Sequence, residues 1–311
     1  MRQVGQLYVA LGVIGSILLG AVAEGRIPGI WRTYRPLEND SRVVKDRLHS
    51  SKNLNSEDDS FLNAVGAVWS YGINQSAVRR YPSAGYNAST GFLIDPCHVL
   101  TNLHVVYPDP VVVDPPVGRR VAFAVGQTAG DNDQGALQGL KFLIGGVVIA
   151  HGDTIIVDRL VQNPGNDWAV IQLATNVDST ITPMPISAID LVQLPAHSKL
   201  SAAGFPADHR QLRNDGFKLK DLWGSEGQIV EIVRASTDVA FIQSTIQTTP
   251  GNSGGPIYGD FNAQKHIVVG MVQSVRGNGI DVSESMPNIQ ILFTPSTLAK
   301  INEAQAHTPC Q

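Results

Sequence analysis

The sequence predicts an all-β protein made of antiparallel barrels and closed by one helix. Three observations carry this. Short runs rich in β-branched and aromatic residues recur along the chain, each bounded by Gly, Pro, Asn or Asp. No helical periodicity alternates with them, which argues against a parallel α/β sheet. The stretch from Pro183 to Pro195 then divides the runs into two sets, as a crossing between two barrels would.

The first set begins at Asn63–Tyr71. Thr90–Ile94 and His98–Thr101 follow, on either side of the turn Asp95-Pro96-Cys97. Arg120–Val125, Gly146–Ala150, Thr154–Val161 and Trp168–Leu173 complete it. Leu200–Pro206 opens the second set, which continues with Gln228–Arg234, Val239–Thr245, His266–Gln273 and Ile289–Thr294. Ser296–Ala306 reads as the closing helix, with Ser296 or Thr297 as its N-cap. The polar loop Gly126–Gly139 contains Asp131 and Asp133, but their spacing fits no calcium loop, so it reads as solvated.

The N-terminal part has a different character. Arg2, the uncharged and largely apolar stretch Leu7–Val22 and the small-x-small string Ala21-Val22-Ala23 read as a secretory signal over residues 1–23. The alternative is a membrane anchor retained over residues 7–22. Residues 24–60 are polar, with Pro28 and Pro36, and read as a pro-segment or linker in which Val43–Leu48 makes a short helix. The two barrels are then expected over 61–185 and 186–311.

Composition excludes several classes. The 311 residues are 43% hydrophobic and 16% charged, which is globular composition and enough for one large or two medium domains. A net charge of −4 offers no basic face, so no nucleic-acid partner is expected. Two cysteines, Cys97 and Cys310, are too few for a disulfide scaffold or a zinc site, and no metal or cofactor is expected. Nothing calls for a second copy, so a monomer is expected.

One stretch points to chemistry: Thr249-Pro250-Gly251-Asn252-Ser253-Gly254-Gly255-Pro256, lying between two strand-like runs. Three glycines and two prolines around a serine force a backbone that exposes the hydroxyl and brings amides close to it. A serine needs a base, and the base needs an orienting acid. Thr101-Asn102-Leu103-His104 supplies a histidine after a strand, and Asn166-Asp167-Trp168-Ala169 supplies an aspartate at the mouth of another.

These three motifs, in the order His104, Asp167, Ser253, resemble those of the chymotrypsin-like serine peptidases. The likeness is to the bacterial branch of glutamyl endopeptidases and HtrA protease domains, over residues 62–300. It implies two six-stranded antiparallel Greek-key barrels and peptide-bond hydrolysis of protein or peptide substrates. It also implies an oxyanion hole from the Gly251 and Ser253 amides. The substrate pocket would be lined by Gln247, Thr248, Val272, Gln273 and Ser274, continuing to Val275. Gln247 stands where trypsins carry Asp. Thr248 matches the threonine of glutamyl endopeptidases, but Val272 stands where they carry His. An uncharged, small or medium residue is therefore expected before the scissile bond. Asn252 replaces the Asp of animal digestive members, so their N-terminal ion-pair switch is not expected. The disulfide that usually brackets the histidine is missing, and a Cys97–Cys310 pairing would instead fasten the C-terminal tail to the first barrel. Two alternatives stand beside this reading: a catalytically silent binding module, and an HtrA-like quality-control protease lacking a PDZ domain.

Export predicts a secreted or periplasmic protein that begins at Glu24. N-terminal sequencing of the mature protein checks this, and a membrane-bound product beginning at Met1 would favour the anchor.

Overall fold

The computed structural model describes residues 43–45, 57–71, 86–107, 117–125, 143–153, 156–157, 160–161, 164–188, 194, 197–205, 211–213, 216–218, 222–234, 240–261, 264–274 and 287–310. The expected signal or anchor within 1–23, most of 24–60, the loop with Asp131 and Asp133, and Val275 lie outside them.

In chain order the strands are β1 (Val43–Lys45), β2 (Val65–Tyr71), β3 (Tyr86–Asp95), β4 (His98–Thr101), β5 (Arg120–Val125), β6 (Leu143–His151), β7 (Ile156–Val157), β8 (Leu160–Val161) and β9 (Ala169–Leu173). The remainder are β10 (Lys199–Gly204), β11 (Gln211–Arg213), β12 (Gly216–Lys218), β13 (Leu222–Arg234), β14 (Ala240–Ser244), β15 (Pro256–Phe261), β16 (Gln264–Ser274) and β17 (Asn288–Leu292). Helix α1 is Leu103–Val106 and α2 is Pro295–His307. The first six-stranded barrel closes in the order β2-β3-β4-β9-β6-β5. The second runs β13-β10-β15-β16-β17-β14 and closes through β13–β14 pairing, with β1 added against β13.

Local sequence explains the strands. In β14, Ala240, Ile242 and Ser244 are buried while Phe241 and Gln243 are half-buried, the period of two that a one-sided strand requires. One apolar core fills the first barrel with Phe92, Phe123 and Ile171, and runs on through Phe205, Met271 and Phe293. A second core, with Ile229, Ile242, Ile257 and Val269, fills the other barrel. Each such side chain contributes about 1.5–3 kcal/mol when fully buried.

Several readings are corrected. Val43–Lys45 is a strand, not part of a helix, because its backbone pairs with Leu222–Gly224 of β13, a tertiary partner invisible locally. Ordered structure starts before Phe61, in a 3₁₀ helix over Glu57–Ala64. The N-cap of α2 is Thr294, whose Oγ1 accepts from Thr297 N at 3.1 Å, with Pro295 as the first helical residue. Pro256–Phe261 adds a strand that the glycine-rich run before it had obscured.

The barrels are joined at Thr90, which is fully buried on β3. Its N–H donates to Ser253 O at 3.1 Å and its hydroxyl to Gly251 O at 2.7 Å. The same hydroxyl oxygen accepts from Phe205 N at 3.0 Å, and its carbonyl accepts from Thr101 Oγ1 at 2.7 Å. Ser89 Oγ adds a bond to Ser253 O at 2.8 Å.

A latch holds the C-terminus to the first barrel. Cys97 and Cys310 are disulfide-bonded across a sequence separation of 213. Beside them, the buried His98 bonds Asp95 Oδ2 through Nδ1 at 2.6 Å. Its Nε2 donates to Thr308 Oγ1 at 3.0 Å, whose own hydrogen goes to Ala304 O at 2.8 Å. Burial alone would raise the Asp95 pKa, but bonds from His98, the Cys97 amide and Gln305 outweigh it and hold the carboxyl at about 2.

Thr90→Val keeps the shape but leaves Gly251 O and Phe205 N without this partner. It should lower unfolding stability by about 1–3 kcal/mol, the cost of a buried unsatisfied polar group. Denaturant titration reads this directly, and an unshifted midpoint would remove Thr90 from the account.

Candidate active site

His104 sits on α1, a single turn entered directly from β4 through Asn102. Asn102 Nδ2 donates to Asp167 O at 2.7 Å, which ties the start of α1 to the backbone of the aspartate. Asp167 lies between the 3₁₀ turn Pro164–Asn166 and β9. Because β4 and β9 pair as Thr101↔Ala169, both residues emerge at the same end of adjacent strands.

Asp167 is fully buried, and both its oxygens serve His104. Oδ1 accepts His104 N at 3.0 Å, and Oδ2 accepts the ring Nδ1 at 2.6 Å. A buried carboxylate is tolerated only when so paired. The ring is held with its hydrogen on Nδ1, leaving Nε2 as an acceptor. The His104 side chain is 25% exposed, so it is reachable from solvent.

Ser253 is presented by a loop knotted on itself. Thr249 N donates to Asn252 Oδ1 at 3.1 Å, and Asn252 N returns a bond to Thr249 O at 3.0 Å. Asn252 is itself buried, and its side-chain oxygen shapes the loop locally through Thr249 N. Gly254 N donates to Val272 O at 2.9 Å, and Val272 N to Gly255 O at 2.9 Å, fastening the loop to β16. Gly251 has φ of 102° and Gly254 of 81°, a region that favours glycine. A Cβ on Gly254 would also strike Thr101 Oγ1 and Thr90 O. Among the described residues, the amides of Gly251 and Ser253 donate to no protein group.

Gln273, read from sequence as pocket lining, also reaches the serine and the aspartate. The β16–β17 register shifts between Val272 and Ser274, so a bulge falls at Gln273 and re-aims it. Its Nε2 donates to Asp167 Oδ2 at 3.4 Å, and its carbonyl accepts Ser253 Oγ at 3.4 Å. One residue thus touches both the serine and the aspartate.

The remaining pocket candidates lie on the two expected segments. Gln247 and Thr248 precede the serine loop and are buried, and Thr248 Oγ1 accepts from Asn288 Nδ2 at 3.1 Å. Val272 is buried on β16, and Ser274 ends that strand opposite Ile289. Sequence reading missed Ser89, Thr90 and Asn102. Only the Thr101-Asn102 pair before the histidine hinted at any of them.

A trypsin-like peptidase domain matches residues 89–271, more than half of the chain. Among solved structures, a Glu endopeptidase in complex with MPD is 19% identical, covering 87% of this chain and 99% of its own, with a TM-score of 0.53. An inactivated protease paralogue of the scabies mite is 15% identical, covering 79% and 96%, with a TM-score of 0.51. These two likenesses concern the fold alone. No curated protein matches. With its two barrels and the match over 89–271, the chain belongs to the trypsin-like peptidase family and is a serine endopeptidase.

Proposed function

We propose that this endopeptidase works through Ser253 as nucleophile, His104 as base and then acid, and Asp167 as the group that orients His104. The observation that carries the proposal is the fully buried Asp167 with both oxygens committed to His104. Ser253 Oγ attacks the scissile carbonyl carbon as its proton passes to His104 Nε2. The resulting oxyanion is received by the Gly251 and Ser253 amides. The imidazolium then protonates the leaving amine, the C–N bond breaks, and an acyl-enzyme remains. Water, deprotonated by His104, releases the acid and restores the serine. Gln273 Nε2 also donates to Asp167 Oδ2, the oxygen that holds the ring, and helps keep the carboxylate in place.

The pocket supports a preference for small or medium uncharged residues before the scissile bond. Gln247, Thr248 and Val272 carry no charge, so a Lys, Arg or Glu side chain entering there would be desolvated with no counter-ion from these residues. The apolar stretch Leu7–Val22 and the Cys97–Cys310 disulfide support export to an oxidising compartment.

Wild-type protein should be labelled by a fluorophosphonate probe, and Ser253→Ala should escape labelling while losing about four to six orders of magnitude in kcat. Full proteolysis by Ser253→Ala would end this reading.

A peptide-library profile should show cleavage after Ala, Val or similar residues. Dominant cleavage after Lys, Arg or Glu would reject the pocket assignment.

A further inference from the structure

The second cluster of reactive groups lies at the end of β4 away from His104. Asp95, Cys97 and His98 come from the β3–β4 turn, and Cys310 comes from the tail after α2. Their ligand-capable atoms all lie within 4.8 Å of one another. Nothing in the peptidase chemistry uses them.

The donor types are those of a tetrahedral zinc site, and several of their separations lie close to the ones it needs. Zinc takes thiolate at about 2.3 Å and imidazole nitrogen or carboxylate oxygen at about 2.0–2.2 Å. Tetrahedral angles then put sulfur about 3.6 Å from nitrogen or oxygen and about 3.8 Å from the other sulfur. Here His98 Nδ1 is 3.5 Å from Cys97 Sγ and 4.0 Å from Cys310 Sγ. Asp95 Oδ1 lies 3.2 Å from Cys310 Sγ, and Asp95 Oδ2 lies 2.6 Å from His98 Nδ1. Once the disulfide is reduced, the two sulfurs must open to about 3.8 Å, and Asp95 Oδ2 must draw back from His98 Nδ1 to about 3.3 Å, to complete the set.

The outer partners fit as well. Thr308 Oγ1 spends its hydrogen on Ala304 O, so it accepts from His98 Nε2–H and turns Nδ1 toward the sulfurs. A ligating histidine commonly has its other ring nitrogen held in this way. Asp95 is fixed by the amides of Cys97 and His98 at 2.9 and 2.8 Å, and by Gln305 Nε2. Oxidised, the sulfurs bond each other and cannot act as thiolate ligands.

We propose that the reduced chain binds one zinc ion through Cys97, Cys310, His98 Nδ1 and Asp95, so that the C-terminal latch is held either by a disulfide or by a metal. A dithiol or phosphine supplies the two electrons. With a phosphine and water, the disulfide yields two thiols and the phosphine oxide. Zinc then displaces the two thiol protons and the Nδ1 hydrogen now shared with Asp95. An oxidant that withdraws two electrons from the thiolates re-forms the disulfide and expels the ion. The proposal is independent of the catalytic reading, because none of the four ligands belongs to it.

The test uses the full chain, oxidised and phosphine-reduced. After addition of Zn²⁺ and desalting, elemental analysis should find one zinc per reduced chain and essentially none per oxidised chain. Co²⁺ in its place should give the visible bands of a tetrahedral site and near-ultraviolet thiolate charge transfer, both lost on reoxidation. His98→Ala and Asp95→Asn should each weaken zinc affinity more than about tenfold, the scale reached even by outer-partner losses. Cys97→Ser/Cys310→Ser should bind none. Circular dichroism and a parallel titration in denaturant separate a folded site from thiols chelating an unfolded chain. The proposal is overturned if reduced protein takes up no metal, or if oxidised protein takes up as much. It is overturned equally if the reduced chain binds with the same affinity in denaturant or with His98→Ala.

Discussion

The structure depends most on four hydrogen bonds made by one small residue. Thr90 is a β3 residue of the first barrel, yet its amide and hydroxyl hold the backbone of the serine loop, which belongs to the second. Its hydroxyl also receives the chain leaving β10, and its carbonyl is tied to Thr101, three residues before His104. The histidine and the serine come from separate barrels, so their relative position is only as good as the contact between those barrels. Apolar packing alone would leave that contact free to slide, because burial has no directional preference. Hydrogen bonds at about 2.7–3.1 Å have one. The serine loop is therefore referenced to the strand pair that carries the histidine as well as to its own barrel.

The same logic governs the acid. A fully buried carboxylate is costly unless every lone pair is engaged. Asp167 solves this with the ring and main-chain nitrogens of His104 and with the amide of Gln273. Gln273 reaches it only because a bulge interrupts β16 there.

Much of this was legible in the sequence. The ends of His98–Thr101 and Arg120–Val125 coincide with β4 and β5, since turn residues and apolar runs are local signals. His104, Asp167 and Ser253, the residues proposed for catalysis, stood out in the sequence because each sits in a short motif with its own backbone requirement. What escaped the reading depends on distant partners. Val43–Lys45 becomes a strand only beside β13. The role of Gln273 follows from a register shift set by β17. Thr294 caps α2 because Pro295 starts the helix one residue earlier than the apolar pattern suggested. Counting cysteines hid the Asp95–His98 pair, whose neighbours Thr308 and Gln305 are 210 residues away along the chain.

The Cys97–Cys310 bond also changes the covalent topology. It closes a ring that includes β4 through β17 and α2, and with them all three residues assigned to catalysis. A peptidase is exposed to its own activity, and a single cut anywhere between these cysteines opens the ring without separating the pieces. The two new ends stay on one molecule, and the barrel cores can hold them in register. Upstream of Cys97 there is no such protection. A cut between β1 and β2 would free the N-terminal piece from the chain, and among the described residues the three-residue pairing of β1 with β13 is what would retain it. The molecule thus has a region where a nick is silent and a region where a nick sheds mass, and the turn at Cys97 is the border between them.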